Sequence, residues 1–267
     1  MITADRKKVI YIHIYKTGGS SITNLLMPYI SENYRSKNPR TEGACWQRTW
    51  HIDRKMHSKF CEAIPVADRL NVDLDEYFKF AFVRNPYSWI LSVWNNFFQS
   101  PTGNLKMTWK NHLLNQIGKV VNRKSGVIGS YAQHFYRAYP DGSFKSFVLF
   151  IDRMVREKPE LAKNFWGCYD QYSFIENDRD IQFDFIGKFE NLEADLKTIF
   201  SRVEGNSTSS ISIPHVVHGS DRNKKERQNY LRYYDRESIA IINQVFVRDF
   251  EFFGYQPISD LSLHTCS

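Results

Sequence analysis

The chain has 267 residues, of which 42% are hydrophobic and 24% carry a charge. A chain of this length can bury one large core, so we expect a single domain over residues 1–267. The 36 Lys and Arg exceed the 29 Asp and Glu, and the net charge of +7 favours an anionic ligand. The basic residues form neither a run nor a recognised nucleic-acid motif, which argues against nucleic acid as the partner.

The cysteines and the apolar segments are used to predict the cellular compartment of the protein. The chain has four cysteines, Cys45, Cys61, Cys168 and Cys266. They show neither a CxxC pair nor metal-site spacing, so we expect free thiols, a cytoplasmic protein and no metal. Export with two disulfides is the alternative, and Asn206-Ser207-Thr208 would then be a glycosylation acceptor. We expect no signal peptide, and no apolar run reaches the ~18 residues that cross a bilayer.

Hydrophobic spacing predicts strands and helices in alternation. The predicted strands are residues 9–14, 78–83 and 183–186. The predicted helices are residues 21–30, 53–63, 87–98, 144–155, 191–203 and 235–250, the last ending near Gly254. Residues 100–142 are predicted to be irregular or partly helical and to face the substrate. This order predicts an α/β fold with a central, mainly parallel sheet flanked by helices.

A glycine-containing motif, Lys16-Thr17-Gly18-Gly19-Ser20-Ser21, joins the first predicted strand to the first predicted helix. Glycine backbone N–H groups and a helix N-terminus together favour an anion, and Lys16 adds a full positive charge. In a Walker loop the lysine follows the glycines, whereas here it precedes them, so a P-loop kinase is disfavoured. A glycine turn beside an exposed lysine is the alternative.

A second motif follows the strand predicted at 78–83. Arg84 comes directly after that strand, at the carboxyl end where open α/β sheets bind ligands. Ser92 follows eight residues later, about two turns into the next predicted helix. A guanidinium makes forked contacts with phosphate, and a serine hydroxyl can complete the shell of donors. The alternative is a surface arginine and a serine that caps the helix or faces the core.

These two motifs, in this order, resemble those of the PAPS-dependent sulfotransferases, especially the carbohydrate (heparan and chondroitin type) branch and its bacterial relatives. Residues 11–21, YIHIYKTGGSS, are similar to the family's 5′-phosphosulfate loop FxHxPKTGGTS, and residues 82–92, FVRNPYSWILS, are similar to its 3′-phosphate motif. Residues 183–192, FDFIGKFENL, resemble the family's DFIGRFENL segment. Tyr15 stands where the family usually has proline and Ser20 where it often has threonine, and neither change removes the lysine, the glycines or a hydroxyl.

The resemblance implies a P-loop-like sulfotransferase fold and transfer of a sulfuryl group from PAPS (3′-phosphoadenosine 5′-phosphosulfate) to an acceptor hydroxyl, leaving PAP (adenosine 3′,5′-bisphosphate). Lys16 would contact the 5′-phosphosulfate and stabilise the charge on the leaving oxygen. The other donors to that group would be Thr17, Gly18, Gly19, Ser20 and Ser21. The 3′-phosphate would be held by Arg84 and Ser92, with Arg222 of the late polar loop as a further candidate.

A general base must take the proton of the acceptor hydroxyl, and histidine suits this role because it titrates near neutrality. His57 occupies a position where the relatives have a catalytic base, and we predict that it lies on the helix at 53–63. His51 and Glu62 are the alternatives for the base. An exposed helical histidine without a role is the other interpretation of His57.

Three further polar residues are interpreted as structural. His13 lies in the first predicted strand and is expected to be buried, or to support the site indirectly. Asp184 and Glu190 are expected to anchor loops rather than to take part in chemistry.

The acceptor implied by the resemblance is a carbohydrate hydroxyl. A lipid, a sterol-like small molecule and a tyrosine remain alternatives. Two functions of other classes also remain: a Mg²⁺-dependent kinase, which lacks its signature here, and a non-catalytic basic module that binds glycans or nucleic acid.

Overall fold

The computed structural model describes residues 1–31, 57–69, 71–99, 126–163, 165–204 and 230–259. The chain divides into two compact units, the first formed by Met1–Asn85 with Gln171–Lys225 and the second by Pro86–Asp170 with Glu226–Ser267. The single domain predicted for residues 1–267 stays a prediction.

The strands, in chain order, are β1 (Ile2–Ala4), β2 (Val9–Ile12), β3 (Phe78–Val83) and β4 (Phe185–Lys188). The helices, in chain order, are α1 (Gly19–Leu26), α2 (Phe60–Arg69), α3 (Pro86–Val93), α4 (Gly126–Ala138), α5 (Phe144–Glu157), α6 (Pro159–Ala162), α7 (Leu192–Glu204), α8 (Arg236–Val245) and α9 (Val247–Phe253).

The first unit contains a four-stranded sheet in the order β1-β2-β3-β4. Strands β2, β3 and β4 run parallel, while β1 pairs antiparallel with β2 at the edge. The predicted mainly parallel sheet is therefore confirmed. Strand β1 was not predicted from the sequence, because three residues are too few to show an alternation of apolar and polar positions.

Strands β2 and β3 are buried on both faces. On one face, aromatic side chains of β2 and β3 pack with apolar residues of α1 and α7, and this core includes Tyr11, Phe80, Phe82, Leu26, Ile199 and Phe200. The alternate strand residues, which belong to the other face of the sheet, are also fully buried: Ile10, Ile12, Ala81 and Val83. Burial on both faces explains why these strands are almost entirely apolar in the sequence, with Lys79 as the exception. Each fully buried large side chain stabilises the fold by about 1.5 to 3 kcal/mol.

Strand β4 begins two residues later than predicted because Asp184 anchors its start to β3. The Asp184 amide donates to the carbonyl of Lys79 (2.8 Å), and its carboxylate accepts from the Lys79 amide (2.6 Å). The interpretation of Asp184 as an anchor is confirmed. The sheet thus continues one strand beyond β3, and α7 begins four residues after β4 ends.

The second unit is helical in its described residues. The helix predicted at 87–98 consists of α3 and a π-helical turn, Trp94–Phe98. The helix predicted at 235–250 is two helices, α8 and α9, with Phe246 between them in a non-helical conformation (φ −109°, ψ 29°). Helix α9 ends as predicted at Gly254, whose φ of 63° is in the left-handed region that glycine favours. Among the described helices, none is both long and apolar enough to span a membrane.

The cysteines are described only in part. Cys61 is an exposed free thiol and Cys168 a buried one, and burial raises the pKa of Cys168. Cys45 and Cys266 lie outside the described residues. The cytoplasmic location stays a prediction.

The sheet generates a first test at Gly187 of β4. A Cβ at this position would lie 2.4 Å from Cε1 of Phe82 on the neighbouring strand. Gly187→Ala should therefore lower the free energy of unfolding by about 1 to 3 kcal/mol, measured by urea denaturation. The control is Lys197→Ala on the exposed face of α7, which should change it by less than about 0.5 kcal/mol. Equal stability of the two variants would contradict the packing of β4 on β3.

Candidate functional site

The glycine loop follows β2 and is closed by its own residues. Thr17 is fully buried, and its Oγ1 donates to the carbonyl of Ile14 at 2.8 Å. Lys16 and Gly18 have φ values of 66° and 91°, both in the left-handed region. For a residue with a side chain that region costs roughly 1 to 2 kcal/mol, so the loop holds Lys16 in a strained conformation.

Helix α1 begins directly after the loop. The amides of Ser21 and Ile22 both donate to the carbonyl of Gly18, at 3.1 and 3.3 Å. The amides of Gly19 and Ser20 precede them in the first turn of the helix. Such a turn is suited to an anion, because its N–H groups and the helix dipole act together.

Gly18 and Gly19 are required for different physical reasons. Gly18 adopts a positive φ, whereas a Cβ on Gly19 would lie 1.6 Å from Nε2 of His13. The His13 ring therefore packs directly against the Gly19 backbone. This ring is 6% exposed and stacks on Tyr11, with ring centroids 5.5 Å apart. The prediction that His13 is buried is confirmed, and burial also raises the pKa of Tyr11 beside it.

Arg84 joins the second motif to the glycine loop. Its Nη1 donates to the carbonyl of Lys16 at 3.3 Å, and its guanidinium lies 4.5 Å from the ring centroid of Phe189. Because β2 and β3 are neighbouring parallel strands, the segments that follow them lie at the same edge of the sheet. A guanidinium has five N–H donors, so it can hold the loop and an anion at once.

The backbone around Arg84 is clamped by residues distant in sequence. Gln171, which is fully buried, accepts from the Arg84 amide (2.8 Å) and donates to the Arg84 carbonyl (2.7 Å). Glu190 accepts from the amide of Asn85 at 2.8 Å, which confirms its interpretation as a loop anchor. Gln171 could not be predicted from the sequence, because a single glutamine 87 residues from its partner leaves no local pattern.

His57 lies beside the start of the glycine loop. Its Nδ1 is 2.8 Å from the carbonyl oxygen of His13, and its ring packs edge-on against the rings of His13 (4.4 Å) and Tyr15 (5.8 Å). A carbonyl can only accept, so Nδ1 carries the proton and Nε2 carries the lone pair of the neutral ring. The half-buried ring is thus fixed in the tautomer that can accept a proton at Nε2.

The prediction that His57 lies on a helix is wrong. Residues 57–59 are not helical, and α2 begins at Phe60 and continues to Arg69. The buried positions of this helix, Phe60, Ala63, Ile64 and Ala67, are spaced so that they form one face. That face lies later in the sequence than predicted, and it continues past Pro65.

The structure describes some of the other predicted site residues but not all of them. Ser20 is half-buried and Ser21 buried in the first turn of α1, while the Thr17 hydroxyl donates within the loop. Glu62 is exposed in the first turn of α2. Ser92 lies half-buried in the last turn of α3, in the second unit, whereas Arg84 belongs to the first. His51 and Arg222 lie outside the described residues.

Comparison with known proteins agrees with these motifs. The profile of the sulfotransferase family matches residues 1–256. Carbohydrate sulfotransferase 12 of Xenopus laevis is 24% identical in an alignment that covers 98% of this chain and 61% of that protein. Carbohydrate sulfotransferase 14 of Danio rerio is 25% identical, over 80% of this chain and 53% of that protein. The chain therefore spans only about half to three fifths of the length of these relatives. No solved structure matches the chain.

The clamp on Arg84 generates a second test. Gln171→Leu keeps the side-chain volume but removes both hydrogen bonds from the buried Gln171 side chain to the partly buried amide and carbonyl of Arg84, so the free energy of unfolding should fall by about 1 to 3 kcal/mol. Gln182→Leu is the matched control, because Gln182 is exposed and water can replace its bond to the Asp180 carbonyl. Urea denaturation measures both. If the two variants unfold alike, Gln171 does not hold the second motif.

Proposed function

Because the chain belongs to the sulfotransferase family, we propose that it transfers a sulfuryl group from PAPS to a carbohydrate hydroxyl, leaving PAP. The observation that carries the proposal is the direct bond from Arg84 to the Lys16 carbonyl, which unites two candidate phosphate sites at one edge of the sheet. The names of the two relatives support carbohydrate as the acceptor class.

The glycine loop is proposed to bind the 5′-phosphosulfate. The first amides of α1 and the hydroxyls of Ser20 and Ser21 donate to its oxygens, and Thr17 contributes through its backbone while its hydroxyl closes the loop. Lys16 adds the positive charge that a leaving phosphate requires. Its strained backbone is consistent with a residue that is placed for function.

The second motif is proposed to bind the 3′-phosphate. The Arg84 guanidinium is held by the Lys16 carbonyl on one side and by the Phe189 ring beneath it, so little of its freedom remains to be lost on binding. Ser92 is proposed to complete the 3′-phosphate site, and Arg222 to approach it from the late loop. This site distinguishes PAPS from nucleotides without a 3′-phosphate.

His57 is proposed as the general base. Its Nε2 takes the proton as the acceptor oxygen attacks sulfur, and the bond from sulfur to the bridging oxygen breaks with its electron pair moving to that oxygen. Lys16 stabilises the negative charge that develops there. The positive charge that appears on the His57 ring strengthens the bond from Nδ1–H to the His13 carbonyl, since charge-assisted hydrogen bonds are the stronger ones.

The 3′-phosphate site is tested by the change Arg84→Ala. Losing a charge-assisted contact should weaken PAP binding by about 1.5 to 3 kcal/mol, measured by calorimetry without metal. Binding of 5′-AMP, which lacks the 3′-phosphate, should change far less. Arg153→Ala on the exposed face of α5 is the control and should leave PAP binding unchanged. If Arg84→Ala weakens the binding of PAP and of 5′-AMP equally, Arg84 does not bind the 3′-phosphate. Mg²⁺-dependent binding of ATP in place of PAP would contradict the proposal of a sulfotransferase.

The base is tested by the change His57→Ala. Removal of a general base should slow turnover by about 100-fold to 10,000-fold, while PAP binding is retained. The assay follows radiolabelled sulfate from PAPS into a pool of carbohydrate acceptors. Glu62→Ala and His51→Ala are compared in parallel, and both should keep most of the activity. A large loss in either of them, with activity kept in His57→Ala, would transfer the role to that residue.

A further inference from the structure

Tyr15 is a large buried residue that the proposed chemistry does not use. In the sequence it immediately precedes Lys16, which is proposed to contact the donor, and it follows His13, whose carbonyl holds His57, by two residues. Its side chain is 1% exposed. Its ring meets the His57 ring edge-on, with centroids 5.8 Å apart and ring planes at 88°. Tyr15 therefore contacts the proposed base directly.

The hydrogen bond of His57 does not by itself fix the orientation of the imidazole. The bond from Nδ1 to the His13 carbonyl, 2.8 Å long, holds one atom of the ring. Hydrogen bonds tolerate a range of angles, so the ring could still pivot about this contact. The His13 ring, at 4.4 Å, and the Tyr15 ring limit that movement by packing against the imidazole. The direction of Nε2, the atom proposed to take the proton, therefore depends on the Tyr15 ring.

The Tyr15 ring is itself held in place by Phe174. These two rings pack edge-on at 5.7 Å, and Phe174 is also 1% exposed. The Phe174 amide donates to the Gln171 carbonyl at 3.1 Å, and the Gln171 side chain clamps the backbone of Arg84. Because a close-packed interior leaves a ring few alternative positions, Tyr15 offers His57 a fixed surface. The segment that clamps the second motif thus also supports the base.

We infer that Tyr15 is a positioning residue for the base, and that its ring sets the direction in which His57 presents Nε2 to the acceptor hydroxyl. The inference rests on the proposed role of His57 and adds to it a residue that acts without touching the substrate. Catalysis is sensitive to such alignment, because a displacement of about 1 Å near the reacting groups can slow turnover by about 100-fold.

Variants of Tyr15 test the inference in the assay with radiolabelled PAPS and the pool of carbohydrate acceptors. Tyr15→Leu keeps the position apolar but removes the ring. It should slow turnover by about 10-fold to 100-fold, while PAP affinity and the KM for PAPS stay within about twofold of the wild-type values. Tyr15→Phe keeps the ring and should retain most of the activity. Phe200→Leu is the matched control, because it removes a buried ring from the core between the sheet and α7, and it should leave turnover unchanged.

A double-mutant cycle separates positioning of the base from a general loss of structure. If the Tyr15 ring acts through His57, Tyr15→Leu should have almost no further effect once His57→Ala has removed the base. An equal fold-loss with and without His57 would overturn the inference, and so would a loss of PAP affinity in Tyr15→Leu. Unchanged turnover in Tyr15→Leu, or turnover as slow in Tyr15→Phe, would overturn it as well.

A second variant covers the case in which Tyr15→Leu does not fold, as judged by circular dichroism. Phe174→Leu leaves the Tyr15 ring in place but loosens it, and should slow turnover by about threefold to tenfold with PAP affinity kept. Unchanged turnover, or a loss of PAP affinity, would overturn the inference. Failure of the proposed function gives a different result: His57→Ala would keep its activity, or the wild-type protein would not bind PAP.

Discussion

The parallel pairing of β2 with β3 is the constraint on which the candidate site depends. Ile12 lies opposite Ala81 near the ends of the two strands, and the glycine loop and Arg84 follow within a few residues. The pairing is stabilised by the aromatic face that packs against α1 and α7. The packing that stabilises the sheet therefore also sets the distance between the two candidate phosphate sites.

Much of the site consists of side chains that orient other groups. Gln171 and Glu190 bind the backbone of the Arg84-Asn85 segment, and Thr17 binds the backbone of its own loop. The ring of His13 packs on Gly19, while its carbonyl accepts from His57. Donors fixed in this way are oriented before a charged ligand arrives, and preorganised donors stabilise developing charge without further rearrangement. The glycine loop is held by a bond between its own residues, and the Arg84-Asn85 segment by contacts with residues distant in sequence.

The sequence was informative where a feature depends on local pattern. Strands β2 and β3 are predominantly apolar runs, and the glycine loop and Arg84 form recognisable motifs. The sequence was less informative where a feature depends on contacts between residues that are distant along the chain. The hydrogen bond between Gln171 and Arg84 and the packing of His13 against Gly19 join residues that no spacing rule connects. The roles of Ser92 and Arg222 remain predictions.

The short elements and the helix boundaries were also missed for physical reasons. Strand β1 has too few residues to show a period, and its place at the sheet edge follows only from its pairing with β2. Helix α2 continues past Pro65, a residue that often ends a helix, so its apolar face was placed too early in the sequence. His57 therefore lies in a turn before α2 and not on a helix. In that turn, its ring is held by the first residues of the glycine loop.

We propose that one edge of the sheet binds both phosphate groups of the donor. A crystal structure of the protein with PAP bound tests this most directly. We expect the 5′-phosphate to bind the first amides of α1 and Lys16, and the 3′-phosphate to bind the guanidinium of Arg84. A structure with either phosphate away from this edge would contradict the proposal.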